Sequence, residues 1–247
     1  MKYSIVIPTY NHLEDCLKPC VESVLRNSDM SETELVISAN GCTDGTREYV
    51  QSIPNARLVW SDQPLGYTEA TNKGIIAAIE SQYIVLLNND VVILDWQSKG
   101  DWLRMLEAPF ADEKVGISGP SKLYFSPTNR TTGARKGQTD GDWFTIFFCA
   151  MIRSSLFETI GYLDPVFSPG YGEDIDFCFR AQKYGFKRVQ IPQEESEWTY
   201  TCNFPIYHKA EGTFHETPEA ATRSHAYFER GIGLVAQRWN AGYYRKA

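Results

Sequence analysis

The chain lacks an excess of positive charge, a cysteine framework, an apolar run of membrane length, and any internal repeat or low-complexity tract; each absence removes a class of function. Its 247 residues hold 24 Lys and Arg against 31 Asp and Glu, a formal charge of -7. A general nucleic-acid binder needs a basic surface to displace counterions from phosphates, so no nucleic-acid partner is expected. Any phosphate-bearing ligand must be held locally, by a metal, backbone amides or a few basic side chains. The six cysteines, Cys16, Cys20, Cys42, Cys149, Cys178 and Cys202, form neither a CxxC pair nor a Cys/His framework and read as reduced thiols of a reducing compartment. Cys16 and Cys20 fall four apart on a predicted helix, but two ligands do not make a zinc site and core packing is the expected role. The longest apolar run, Phe144 to Ile152, is too short to span a bilayer as a helix. The opening MKYSIVIPTYN is already a strand, without a basic region followed by an apolar one, so a cytoplasmic rather than a secreted protein is expected. Asn129-Arg130-Thr131 has the form of a glycosylation sequon, which has no meaning in that compartment.

What is present is a hydrophobic fraction of 43%, enough for a substantial core in one large α/β domain of two joined halves. The first half alternates strand and helix patterns, which predicts a parallel sheet wound with helices. Strands are expected at Tyr3 to Ile7, Glu34 to Ser38, Ala56 to Trp60 and from Tyr83, with helices from Leu13 to about Asn27, from Thr43 or Asp44 to Val50, and from Thr68 to about Ser81. Beyond Val115 to Gly119, another strand, the rhythm breaks. Pro120 to Asp142 reads as a long polar loop of a length usually reserved for binding or lid segments. Phe144 to Ile152 reads as a strand, Ser154 as the cap of a helix ending at Gly161, and Gly170 onward as the lead into a helix ending at Tyr184. Phe186 to Ile191 reads as a strand, and Pro218 starts a closing helix. The expected division is 1–118, 119–216 and a helical tail at 217–247, whose final Tyr243, Tyr244, Arg245 and Lys246 read as frayed, too small a patch for stable membrane anchoring.

Two constellations carry chemistry. In YIVLLNNDVV, Tyr83 to Val92, a strand ends in Asn88, Asn89 and Asp90. In open α/β sheets ligands bind at the carboxyl ends of strands, and a carboxylate beside two short amides offers the hard oxygens that suit Mg²⁺ or Mn²⁺ carrying a phosphorylated ligand. A loop Asp that caps the next helix has the same appearance. Further on, Glu173, Asp174 and Asp176 crowd the first turn of one helix after Gly170-Tyr171-Gly172. The helix dipole favours acids there for stability alone. The glycines also permit close approach of another element, and the same field keeps a carboxylate ionised and able to accept a proton, which makes Asp174 the general-base candidate.

Five segments then resemble the glycosyltransferases of family 2, especially their rhamnosyltransferase-like branch: SIVIPTYN at Ser4 to Asn11, NGCTDGT at Asn40 to Thr46, GYTEATNKGI at Gly66 to Ile75, LLNNDVV, and YGEDIDFCFRAQKYGF at Tyr171 to Phe186. The resemblance runs to about Thr217. It implies a GT-A fold, a Rossmann-like, mostly parallel mixed sheet flanked by helices, and a metal-dependent inverting enzyme. Such an enzyme moves a sugar from a nucleotide-diphosphate donor to a hydroxyl of a glycan, polysaccharide or glycolipid. Residue by residue, it implies that Pro8, Thr9, Tyr10 and Asn11 line the donor with Asn40, Gly66, Asn72, Lys73, Asn88 and Asn89. It implies that Asp90 binds Mn²⁺ or Mg²⁺ with His208, His215 being the fallback, and that Asp174 is the base with Glu173 beside it. Trp143, Tyr171 and Gly172 fall to the acceptor, with Tyr162 a further ring that could stack on a sugar; for each of these rings a place in the core suits equally. Lys73 could instead be a solvated helix lysine.

The chain departs from the family at two places. Ala39 and Asn40 stand where relatives usually carry acids or Asp-Asn, and Asn88 stands where the metal motif begins with an acid. The first departure removes an acceptor for a base ring NH, while Asn40 retains an amide that can bond base or ribose. The second makes the site less anionic, so the metal is expected to bind together with the donor's phosphates. These departures motivate one alternative, a non-catalytic nucleotide-sugar-binding protein. Another, a sugar-phosphate nucleotidyltransferase, would want a glycine-rich basic loop where Pro8-Thr9-Tyr10-Asn11 stands.

Overall fold

The computed structural model describes residues 1–95, 98–133, 143–191, 204–209 and 218–244. In chain order the elements are β1 (Tyr3–Thr9), α1 (Lys18–Asn27), β2 (Thr33–Asn40), α2 (Thr46–Gln51), β3 (Ala56–Ser61), α3 (Tyr67–Ala78), β4 (Tyr83–Leu87), β5 (Val91–Ile93), α4 (Asp101–Glu107), β6 (Val115–Gly119), β7 (Leu123–Ser126) and β8 (Thr131–Gly133). There follow β9 (Trp143–Phe144), β10 (Cys149–Arg153), α5 (Ser154–Ile160), α6 (Glu173–Lys183), β11 (Lys187–Gln190), β12 (Ile206–His208) and α7 (Pro218–Asn240).

Seven strands form one sheet in the order β11-β6-β10-β4-β1-β2-β3. β3, β2, β1 and β4 run parallel, and β10 is antiparallel to both β4 and β6. Successive side chains of a strand point to opposite faces, and here both faces are covered. Ile5, Ile7, Val85 and Leu87 enter a core completed by Leu17, Val21 and Val24 and by Trp102, Leu103 and Leu106 of α4. Val6, Ile84 and Leu86 enter the opposite core with Ile75 and Ala78 of α3, Phe157 of α5, Phe177 of α6 and Val235 of α7. α3 lies so close to the sheet that a Cβ at Gly74 would sit 2.4 Å from Val6 Cγ1. The order of strands along the sheet switches at β1, with β2 and β3 laid down on one side of it and β4 on the other, and ligands of open α/β sheets bind at the carboxyl ends of the strands at such a point.

The structure changes five expectations. The strand from Tyr83 ends before Asn88 as expected, but the chain turns there (Val91 N–H donates to Asn88 O, 3.2 Å) into a further strand that was not expected, Val91–Ile93, which pairs with β12. Phe144–Ile152 is likewise split: β9 pairs with β7, whereas β10 joins the main sheet, and Thr145 to Phe148 turn between them. The predicted Leu13 helix begins as a π-helical turn, Leu13–Leu17, after Asn11 and His12 in the left-handed region. The tail is ordered as far as Tyr244, which is buried and whose hydroxyl donates to Asp176 Oδ1. Part of the polar loop is also ordered as β7 and β8. Among the described residues no helix is long and apolar enough to cross a membrane. Cys202, His215, Arg245, Lys246 and residues 134–142 lie outside the described residues.

Candidate active site

At the carboxyl ends of β1 and β4 a cavity of about 790 Å³ opens, within the usual range for small-molecule sites. Pro8, Thr9, Tyr10, Asn40, Gly66, Asn88, Asn89, Asp90 and His208 line one part, and Tyr171, Gly172, Glu173 and Asp174 another. The two constellations read from the sequence therefore face a common space. Asn89 Nδ2 donates to Thr9 Oγ1 (2.9 Å), tying the tips of β1 and β4 together. Asn40 is buried, its Oδ1 accepting from Leu65 N–H, so its amide shapes the loop before Gly66 as well as the cavity wall.

Long-range pairing delivers His208 to Asp90. β12 runs antiparallel to β5 with His208 opposite Val91, and Lys209 N–H donates to Asp90 O (3.1 Å). The imidazole stacks on Phe148 with centroids 4.4 Å apart and planes 10° apart, which fixes its direction. His208 Nε2 lies 3.2 Å from Asp90 Oδ1, and neither Asp90 Oδ1 nor buried Asn88 Oδ1 has a hydrogen-bond partner among the described residues. Buried polar atoms are ordinarily satisfied, so this group of orphans has the character of a ligand shell. Two ligands about 2.1 Å from one ion and at right angles stand about 3 Å apart, so the Asp90–His208 separation fits a divalent cation. A second cluster, His12, Asp15 and Cys16, brings its ligand atoms within 4.8 Å. There Lys209 Nζ already lies 3.3 Å from Asp15 Oδ2, and burial followed by the Asp15 charge pushes the Cys16 thiol up to about 11, which keeps it protonated and a poor ligand.

The acid pair sits at the start of α6, whose N-cap Gly172 and preceding Tyr171 are both left-handed (φ 93° and 74°). Burial is the largest influence on both carboxyls and pushes both upward; the Asp174 charge raises Glu173 further, while backbone N–H donors moderate Asp174. Glu173 Oε2 is buried without a partner, and Asp174 Oδ1 accepts from Ile175 N–H at 2.8 Å. Two adjacent carboxyls that cannot ionise together divide into one that keeps its proton and one that can take one. Asp176, the third acid, is fully buried and faces away, accepting from Arg180 Nε at 2.7 Å and from Arg238 and Tyr244.

A family model described as glycosyl transferase family 2 matches residues 4–170. The chain belongs to glycosyl transferase family 2. It is 25% identical to the N-acetylglucosaminyl-diphospho-decaprenol L-rhamnosyltransferase of Mycobacterium tuberculosis, over 72% of this chain and 67% of that one. A Sinorhizobium fredii protein, y4gI, is 25% identical over 96% of this chain, which spans only 27% of its length. Among solved structures, the mannosyltransferase PcManGT of Pyrobaculum calidifontis in complex with GDP-Man and Mn²⁺ superposes with a TM-score of 0.57 at 19% identity, covering 78% of this chain and 55% of that one. S. aureus TarS 1–349 in complex with UDP gives 0.56 at 18% identity, covering 76% and 57%. The fold of this family 2 chain is thus the GT-A fold, a central mostly parallel sheet between helices.

Not every residue named from the sequence reaches the cavity. Asn72 spends its amide on Leu163, donating to its carbonyl (2.7 Å) and accepting from its N–H (3.0 Å), and Lys73 is exposed outside the cavity lining. Asn11 lines a smaller neighbouring pocket, its Oδ1 accepting from Thr43 N–H at 2.7 Å. Trp143 is buried away from the cavity with the Lys122 and Arg188 cations over its ring, and Tyr162 stacks on Phe157. Conversely, Tyr67, Phe147, Arg223 and Tyr227 line the site without having been singled out. Tyr67 opens α3 directly after Gly66, a position the sequence could have flagged; its buried hydroxyl donates to Phe147 O (3.2 Å) and is held well above its ordinary pKa by burial, then by the acid pair.

α7 lies beyond the matched residues, yet it is bonded to the turn before the acid pair. Ser224 Oγ and Tyr171 OH are 2.6 Å apart, Arg230 donates to the carbonyls of Ser168 (2.8 Å) and Val166 (2.5 Å), and Arg238 pairs with Asp164 (2.5 Å) as well as Asp176. A Cβ at Gly231 would lie 2.1 Å from Tyr171 O, so glycine is what allows the helix to rest on that turn.

Proposed function

We propose that the protein is a metal-dependent inverting glycosyltransferase that moves a sugar from a nucleotide-diphosphate donor to a hydroxyl of a glycan, polysaccharide or glycolipid. The observation that carries this reading is the single cavity in which the Asp90–His208 pair and the Glu173–Asp174 pair face one ligand space. Asp90 and His208 would hold Mn²⁺ or Mg²⁺, which supplies positive charge for the departing diphosphate. Thr9, Tyr10 and Asn40 line the wall for the nucleoside, and Asn88 and Asn89 bring amides towards diphosphate and sugar. Asp174 accepts the proton of the acceptor hydroxyl while Glu173, keeping its own, adds no second negative charge. The new bond forms between acceptor oxygen and anomeric carbon as the carbon's bond to the diphosphate breaks. Its electron pair leaves with the nucleoside diphosphate, and one displacement from the opposite face inverts the centre.

A thermal-shift panel of nucleoside diphosphates and nucleotide sugars with and without Mn²⁺, followed by donor turnover, tests the reading. Metal-dependent stabilisation by one donor, together with its hydrolysis or transfer, is the expected result. A second reading, a nucleotide-sugar-binding protein without catalysis, is favoured by Ala39 and Asn88 standing where acids are usual. Stabilisation without any turnover would select it.

A further inference from the structure

Four consecutive carbonyls of the turn between β9 and β10 are each taken by a different part of the molecule. Thr145 O accepts from Cys178 Sγ of α6 (3.8 Å), Ile146 O from Ser121 Oγ (3.3 Å), Phe147 O from Tyr67 OH of α3 (3.2 Å) and Phe148 O from Asn88 N–H at the tip of β4 (2.9 Å). Irregular backbone inside a protein keeps its place through such bonds. The turn in turn touches both sides of the site. Its Phe148 ring stacks on His208. Against the burial that raises Asp174, the Phe147 N–H joins those of Ile175 and Asp174 itself in favouring the charged carboxylate. Two of the turn's four donors line the cavity, Asn88 through its backbone and Tyr67 through its side chain.

Tyr67 is itself held against the loop that leads to the acid pair. Its N–H donates to Pro169 O (2.6 Å), Ser168 Oγ donates to Leu65 O (2.8 Å), and a Cβ at Gly66 would lie 2.5 Å from Pro169 Cα. Burial, followed by the charges of Glu173 and Asp174, holds the hydroxyl well above its ordinary pKa, so it stays protonated and serves as a donor. Resting on the proposed glycosyltransferase reading, we infer that Tyr67 is a positioning residue for transfer: its hydroxyl, through the Phe147 carbonyl, holds the turn from which Phe147 N–H orients the Asp174 carboxylate. Tyr67 thus acts on the reaction through Asp174, and joins the start of α3, on the donor side, to the placement of the base.

Tyr67→Phe keeps the ring and removes the hydroxyl. In the full chain without ligand, amide hydrogen exchange at Phe147 and Phe148 should quicken about fivefold, the factor that one hydrogen bond is worth. With Mn²⁺ and the nucleotide sugar that the thermal-shift panel selects, kcat should fall about tenfold while the donor KM stays within about twofold, since displacement of a base by a fraction of an ångström slows the chemical step. In an Asp174→Asn background the same Tyr67→Phe change should alter the residual rate less than about twofold, because residues that act as one unit are not additive. Ser118→Ala is the control for lost stability alone: it removes a buried bond from Ser118 Oγ to Leu106 O (2.6 Å), between β6 and α4, and should leave exchange at the turn and kcat within about twofold of the wild type. Unchanged exchange at Phe147 and Phe148 in Tyr67→Phe overturns the inference. So does a raised KM with unchanged kcat, which makes Tyr67 a substrate contact, or a full tenfold loss in the Asp174→Asn background. A wild type that turns over no nucleotide sugar refutes the glycosyltransferase reading instead, and the exchange comparison then decides by itself whether Tyr67 holds the turn.

Discussion

Gly231→Ala offers a quantitative probe of how α7 serves the site, because two effects of opposite sign compete at that position. In a helix interior alanine is favoured over glycine by roughly 1 kcal/mol, so helix propensity alone predicts stabilisation. The new Cβ, however, would stand 2.1 Å from Tyr171 O and 2.8 Å from Tyr171 C, both backbone atoms of a turn bonded on either side. Restoring ordinary contact requires a retreat of roughly 1 Å or more, and over-packing against an unyielding neighbour costs about 1–3 kcal/mol, here at the upper end. The net loss is about 1–2 kcal/mol, which for a chain of this size lowers Tm by about 2–8 °C. A displacement of about 1 Å passed to the acid pair costs up to roughly 100-fold in turnover. Donor stabilisation should persist, because the donor side of the cavity is built on the tips of β1 and β4 rather than on the acidic turn. Differential scanning fluorimetry with a donor-turnover assay measures all three quantities. Gly233→Ala is the control: its Cβ meets the far end of the Arg130 side chain, which can swing away, so Tm should hold or rise. Unchanged Tm and turnover in Gly231→Ala would refute the claim that this helix seats the acidic turn.

Other consequences are independent of that one. Asp90→Ala should abolish Mn²⁺-dependent stabilisation by the nucleotide donor, and EDTA should do the same to the wild type; undiminished stabilisation in either case would remove the Asp90–His208 site. Asp176→Ala strands Arg180 and Arg238 in a buried network, which costs about 3–5 kcal/mol, so urea unfolding should show a large fall in midpoint, whereas Tyr244→Phe, losing one hydrogen bond, should cost about 1 kcal/mol. In the metal-free protein, Glu173 is pushed up to about 8 and Asp174 to about 7, burial being the first cause for both. The folded chain therefore retains protons that the unfolded chain releases near pH 4, so the pair's contribution to stability is full below that range and is lost as pH rises through 7 and 8. Tm should decline between pH 5.5 and 8.5, with a shallower decline in Glu173→Gln; identical slopes would contradict the raised carboxyls.

The central sheet was legible because its strands are short apolar runs punctuated by Pro, Gly and Asn, and because strand and helix alternate locally. Asp90 and the Glu173–Asp174 pair were legible for a related reason: each polar cluster terminates or starts a regular element. What sequence periodicity does not carry is pairing between distant segments. The short strand Val91–Ile93 was not expected because nothing local announces that Ile206–His208 will pair with it, and that same pairing brings His208 to Asp90. Asn72 and Lys73, placed at the donor by resemblance, lie on a helix whose inner face is occupied by Gly74 against Val6 and whose Asn72 is taken up by Leu163. Tyr244 was misread as frayed because its burial depends on residues of α6 far back in the chain, the Phe179 ring and the Asp176 carboxylate, which lies 68 residues away. Arg223 had no signal at all in the sequence, since an arginine on an amphipathic helix is ordinarily solvated.

The most direct test is an Asp174→Asn chain compared with the wild type in two assays on the same donor: thermal stabilisation with Mn²⁺, and release of nucleoside diphosphate on transfer. One shared cavity with separate metal and base sides predicts that the variant keeps the stabilisation and loses transfer by a factor of about 100 or more. Full turnover in the variant, or loss of donor stabilisation in step with turnover, would contradict it.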